Sequence, residues 1–218
     1  MQNNFPSLLF VTKGFKSYYL TLSFVIATVV IFLIPNSVDL FAFNRFLILE
    51  RHQWWRVITS IFTHSSVDHL TWNLITLFSS SLICESLNRK VFSVYLVLVI
   101  IVITVFKLNT HHNYLYSQGF SNVAAGSFCL LLLLLSQLGV KQKKNHLVVL
   151  SVCILLAFVL HELGLFGSST AWELLSGRSI NETPGQVVKP GHLVGMATGL
   201  LVGVIAFFYH SKIQDHRQ

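Results

Sequence analysis

Charge is scarce in this sequence. Asp, Glu, Lys and Arg make up 11% of its 218 residues, where a soluble domain carries about 25%. That shortage argues against an ordinary water-soluble globule. Cysteine is scarce as well. The three present, Cys84, Cys129 and Cys153, all fall inside apolar runs. Their spacing suits neither a disulfide framework nor a zinc site, so they read as small buried apolar side chains. No small-residue cleavage site follows the first apolar run, which therefore reads as an uncleaved anchor. There is no internal repeat, no low-complexity tail and no shift in composition, so residues 1–218 are expected to form a single domain.

What the chain has in quantity is apolar length. Hydrophobic residues account for 53% of it, in runs of roughly 20 residues, the length a helix needs to cross a bilayer. The runs are continuous rather than alternating, and in lipid only helices and closed barrels satisfy their own backbone. The expectation is an all-α, polytopic membrane protein with six transmembrane helices. Their expected positions are about 18–35, 67–87, 91–106, 121–138, 147–163 and 190–210.

Lys and Arg set the orientation. With the N-terminus inside, Lys13, Lys16, Arg89, Lys90, Lys141, Lys143, Lys144, Lys212 and Arg217 are cytoplasmic. Arg45, Arg51, Arg56, Lys107, Arg178 and Lys189 fall outside, in longer loops. Both termini are then cytoplasmic. The net charge of +7 is largely topogenic. It calls for anionic lipid headgroups rather than nucleic acid as partners.

Polar side chains at membrane depth mark functional sites by default, and three places have them. The first is the run from His64 to Asn73. His69 and Asn73 are four residues apart and share a helix face, so both can donate toward one point. Glu85 lies twelve residues beyond Asn73, about 18 Å further along the axis. Histidines of a wet interfacial loop, or a metal site, would also account for the pair, although the i, i+5 spacing of His64 and His69 is poor for two ligands on a helix. The second place is Gly119-Phe120-Ser121-Asn122. A serine at a helix start is most often an N-cap. Ala124, Ala125 and Gly126 follow, which lets this helix approach a neighbour closely. The third is His192 with Gly195 and Gly199 on its face, a seam that allows tight helix contact. A lone histidine there is more often interfacial than catalytic.

Together the three places make a chemical set. Amide hydrolysis needs a nucleophile, a base and donors for the developing oxyanion. Ser121 supplies a hydroxyl, His192 a base, and His69, Asn73 and the Ser121 amide supply donors. No membrane-embedded Asp is placed to orient His192, so a dyad is expected rather than a triad. No metal or cofactor is called for.

This pattern resembles the rhomboid family of intramembrane proteases. The resemblance runs through Trp54-Trp55-Arg56, Thr59, Phe62, His64, His69-Leu70, Asn73 and Glu85, then Gly119-Phe120-Ser121, then His192 with Gly195 and Gly199. It implies Ser121 as nucleophile and His192 as general base. His69, Asn73 and the Ser121 amide become the oxyanion hole. It also implies a structured first outer loop containing Trp55 and Arg56, and a polar network around Glu85. The implied fold is a six-helix rhomboid bundle with a water-filled cavity opening outward. The chain departs from the family at two positions: Asn122 stands where a glycine is usual, and Ala125 where a ring often supports the histidine.

Within the family the chain is most similar to the rhombosortase subgroup of Gram-negative bacteria. The similarity lies in Trp54-Trp55-Arg56-Val57-Ile58-Thr59, in Trp172-Glu173 before Gly177, and in Val187-Val188 through His192-Leu193. It implies an enzyme of the inner membrane, opening to the periplasm. Its substrates would be membrane-anchored secreted proteins with a C-terminal Gly-Gly, transmembrane and basic tail, with possible transfer to an amine. His111, His112, Asn113 and Tyr114 would make the loop at 107–120 polar, and the long loop at 164–189 would gate substrate. Two other readings stay open. One is an inactive rhomboid-like protein that binds client helices. The other is a small transporter using His69, His192 and Glu85, against which the lack of repeat symmetry counts.

Overall fold

The computed structural model describes residues 18–110, 116–163 and 189–215. The expectations about His111 to Tyr114, Trp172-Glu173, Gly177 and the gating loop lie outside those residues. Within them the chain is almost entirely helical. The elements are α1 (Tyr19–Leu33), α2 (Ser37–Phe41), β1 (Phe43–Asn44), α3 (Arg45–Leu49), α4 (Arg56–Thr59), α5 (Val67–Asn109), β2 (Tyr116–Ser117), α6 (Ser121–Lys141), α7 (Asn145–Glu162) and α8 (Lys189–Asp215). Four of them, α5 to α8, contain stretches long and apolar enough to cross a membrane, and α1 is a shorter apolar helix.

Helix α5 runs through both the second and the third apolar segments. Its 43 residues are broken at Asn88, whose backbone leaves the helical region. The Asn88 side chain accepts a hydrogen bond from the Val91 amide at 3.2 Å, as an N-cap does. The break reverses the chain. Arg45 Nε donates to Leu108 O at 2.9 Å, while at the other end of α5 His69 sits against Gly119. Both ends of α5 therefore return to the segments flanking the two-residue β1–β2 ladder.

Helix α6 is the centre of the bundle. It is the most enclosed of the four, and α7 is the least. Tyr95 Oη donates to Val123 O at 2.6 Å, and Ser80 and Ser127 share a hydrogen bond of 2.6 Å. These bonds tie both arms of α5 to one face of α6. On another face Gly126 packs on Gly195, Gly195 on Asn122 and Gly199 on Gly126. A Cβ added at any of the three glycines would run into a backbone carbonyl of the opposite helix. This is the close approach expected of the seam.

Residues 37–63 fold over one end of the bundle. Arg56 is buried and donates to Ala42 O at 2.9 Å, Asp39 O at 2.6 Å and Gln53 Oε1 at 2.7 Å. Thr59 Oγ1 donates to Phe41 O at 3.0 Å, and Trp55 Nε1 to Leu40 O at 3.3 Å. The planar guanidinium satisfies three acceptors at once, which a lysine could not do in the same geometry.

Glu85 lies at the opposite end of this arm of α5. It receives the amides of Leu20 at 3.2 Å and Thr21 at 3.0 Å, and the Thr21 hydroxyl at 2.8 Å. These are first-turn donors of α1 that no residue of α1 itself satisfies. Glu85 thus caps α1 from another helix, and the positive end of the α1 dipole favours its charge. Glu85→Ala is expected to cost about 2–4 kcal/mol. The check is a lower melting temperature in detergent, with part of the loss recovered by Glu85→Gln.

Candidate active site

Ser121 stands at the first helical position of α6, with Phe120 as the N-cap residue and no side-chain cap. Its hydroxyl makes no hydrogen bond among the described residues, so it does not serve as an N-cap. The segment leading to it is shaped by Gly119. This residue has φ of +85°, a conformation few L residues adopt, and its amide donates to Ser60 O at 3.0 Å. A Cβ there would stand 3.2 Å from the His69 ring. The glycine therefore lets the chain pass between His69 and Ser60 just before the serine.

A cavity of about 270 Å³ opens at this end of the bundle. Its polar lining consists of Asn73, Thr76 and Ser79 of α5, Ser121 of α6, Glu162 of α7 and His192 of α8. Its apolar lining includes Ile75, Ala124, Ala125, Phe128 and Phe158. Ser121, His192 and Asn73, which stand far apart in sequence, thus face one space. No hydrogen bond joins Ser121 and His192 here; catalytic contacts of this kind often tighten only in the Michaelis or transition-state complex. Asn73 is buried, and its Nδ2 has no partner among the described residues. An amide donor left unsatisfied at a cavity that Ser121 also lines is suited to an acceptor brought by a ligand.

His69 lies behind Gly119 rather than in the cavity wall. Its ring meets His64 edge-on at 5.1 Å, and His64 meets Phe120 edge-on at 4.8 Å. His64 is buried, and its Nδ1 faces Phe62 O at 3.2 Å. Burial, and then the neighbouring His69, lower the His64 pKa to about 3, against a smaller opposing effect of the Phe62 carbonyl. The folded state therefore binds this proton less readily than the unfolded chain. The stability gained is present above about pH 6.5 and is lost as pH falls toward 3. By pH 5 the loss reaches about 2 kcal/mol. Thermal melts at pH 7 and pH 5 check this, because His64→Gln should lose less than wild type by about that amount.

Asn122, in the place where a glycine was the expected pattern, lies in regular helix. Its buried side chain fills the space beside Gly191 at the start of α8. Ala125, in the wall of the same cavity as His192, brings no ring of its own to it. The contact that holds the histidine is one the sequence reading missed. Glu162, the last residue of α7, places Oε2 3.1 Å from His192 Nδ1, and both side chains are nearly enclosed. No aspartate in the sequence is placed to orient His192, but a glutamate carries the same carboxylate. The signal available was a glutamate at the end of the fifth apolar run, one that looks like an ordinary interfacial charge.

A protein-family model described as Rhomboid domain matches residues 51–209, which take in every element from α4 to the membrane stretch of α8. This chain belongs to the rhomboid family. No curated protein matches it. The rhomboid family consists in general of serine intramembrane proteases, which act on membrane proteins within the bilayer. As a rhomboid with several long apolar helices, the chain is an integral membrane protein.

Proposed function

We propose that this rhomboid is an active intramembrane serine protease with Ser121 as nucleophile and His192 as general base. The observation that carries this reading is the single cavity lined by Ser121, His192 and the unsatisfied amide of Asn73. As the Ser121 Oγ–carbon bond forms on the scissile carbonyl, the hydroxyl proton passes to His192 Nε2. The carbonyl π electrons move onto oxygen. The Asn73 amide and the Ser121 N–H supply donors for that oxyanion, each worth on the order of 10²–10³ in rate, and His69, which the rhomboid resemblance adds to the oxyanion hole, stands one residue layer back against Gly119. The His192 proton then goes to the leaving nitrogen as the C–N bond breaks. Water, or an amine, takes the acyl group from Ser121.

In this reading the two arms of α5 are separate spans and α1 is a sixth. Both termini face the cytoplasm and the cavity opens to the periplasm of the bacterial inner membrane. The substrates are secreted proteins held by a C-terminal tail with Gly-Gly, a transmembrane helix and a basic end, as the rhombosortase resemblance implies. Glycines make the start of such a helix easy to unwind, at roughly 0.5–1 kcal/mol each relative to alanine. The apolar part of the cavity wall then receives the extended strand.

The test is co-expression with a secreted reporter bearing that tail, read by intact mass. Cleavage by wild type and none by Ser121→Ala supports the protease. The mass of the new C-terminus separates hydrolysis from transfer to an amine. An intact reporter, together with no fluorophosphonate labelling of folded wild type, would favour a client-binding protein without catalysis.

A further inference from the structure

We propose that Glu162 is the positioning residue of the site, completing a Ser121–His192–Glu162 relay in which the carboxylate orients the base. The inference rests on the protease reading above. Its observation is the 3.1 Å contact between Glu162 Oε2 and His192 Nδ1 in the wall of the Ser121 cavity.

The chemistry follows from the donor inventory. An ionised carboxylate only accepts hydrogen bonds. The imidazole nitrogen facing it must therefore carry a proton. With Nδ1 protonated, Nε2 of the neutral ring keeps its lone pair, and that is the nitrogen able to take the Ser121 proton. When it does, the ring becomes an imidazolium whose charge lies beside Glu162. The carboxylate holds the tautomer and stabilises the cation without itself taking the proton, the role an acid plays in a serine triad.

The surroundings make a purely structural tie a poor explanation. Phe158 and Val159 of α7 and Leu193 of α8 pack in the apolar cluster around Ala125, Cys129 and Met196. A carboxylate buried in such a shell is costly unless it is paired, and a hydrophobic side chain would join α7 to α8 as well. The two helices meet little elsewhere, and α7 is the least enclosed span. The charge stands where it touches the base, Oε2 lying 3.1 Å from His192 Nδ1. A carboxylate that orients the ring through Nδ1 is compatible with an alanine at position 125.

The test uses full-length protein in detergent micelles, labelled with ¹⁵N-histidine. The His192 signals are identified by their loss in His192→Gln. The expected wild-type spectrum shows a single neutral tautomer with the proton on Nδ1. Glu162→Gln should give a mixture with Nε2–H. The same variant should react with a fluorophosphonate about 10²-fold more slowly, with the loss in the inactivation rate constant rather than in probe binding. Glu162→Asp should recover part of that rate. A wild-type ring protonated on Nε2 overturns the proposal without recourse to any variant. A labelled wild type matched in rate and tautomer by Glu162→Gln overturns it while leaving the protease standing. A folded wild type that is not labelled at Ser121 overturns the protease and this role together.

Discussion

Replacing Ser121 with alanine should abolish both reporter cleavage and fluorophosphonate labelling, a loss of at least about 10⁴-fold. It should leave the melting temperature essentially unchanged. The two halves of this result come from one observation. The Ser121 hydroxyl faces the cavity, caps nothing and has no hydrogen-bond partner among the described residues. Removing it takes away no packing and no internal bond, and surface-like changes of that kind cost within about 0.5 kcal/mol. A serine kept as an N-cap would behave in the opposite way, losing about 1 kcal/mol of stability and no activity. His192→Ala should match Ser121→Ala in rate but melt lower, because it also takes a hydrogen bond from buried Glu162. The double variant should be no slower than either single one, since nucleophile and base act as a unit. Residual cleavage in Ser121→Ala above a tenth of wild type would remove the serine from the mechanism.

Most of this site was legible because lipid makes polarity conspicuous. His69, Asn73, Ser121 and His192 stand out where an apolar residue would serve, and Gly195 and Gly199 repeat at the spacing of a helix face. The structure gathers Ser121, His192 and Asn73 around one cavity and brings His69 up behind Gly119. Glu85 stood out for the same reason, but its partners did not. They are backbone amides of α1, which every residue carries and which no pattern of side chains reveals. Glu162 was overlooked because a charge at the end of an apolar run is what any membrane helix shows at its interface. Only the packing of α7 against α6 turns it inward, toward His192. The break between the second and third apolar runs was legible in Asn88-Arg89-Lys90, which interrupts them: at Asn88 the backbone leaves the helical region, and its side chain caps Val91 at the start of the next arm.

The second large effect is expected at Gly195. Gly195→Ala adds a single methyl group, and it should cost at least a hundredfold in cleavage and about 1–3 kcal/mol in stability, with Gly195→Leu unfolding the protein. The reason is backbone, not side chain. A Cβ at Gly195 would collide with the carbonyl of Asn122, and a carbonyl fixed in the first turn of α6 cannot rotate away as a flexible side chain would. Room is made only by moving α8 off α6. The neighbouring contacts between Gly126 and Gly195, and between Gly199 and Gly126, open at the same time. Helix association in lipid depends on such close packing, because lipid tails give apolar helices no reason of their own to meet. His192 lies three residues before Gly195, on the same rigid helix, so displacement of the seam is passed directly to the base. A shift of about 1 Å in a reacting group can cost 10²-fold. The effect of Gly195→Ala should thus appear in rate at temperatures where the protein is still folded. Gly203→Ala is the control. Its added Cβ would meet the side chain of Leu133, which can yield, far from the cavity, and cleavage should survive. If Gly195→Ala cleaves at the wild-type rate while melting lower, the seam holds the bundle together without setting the distance between serine and histidine.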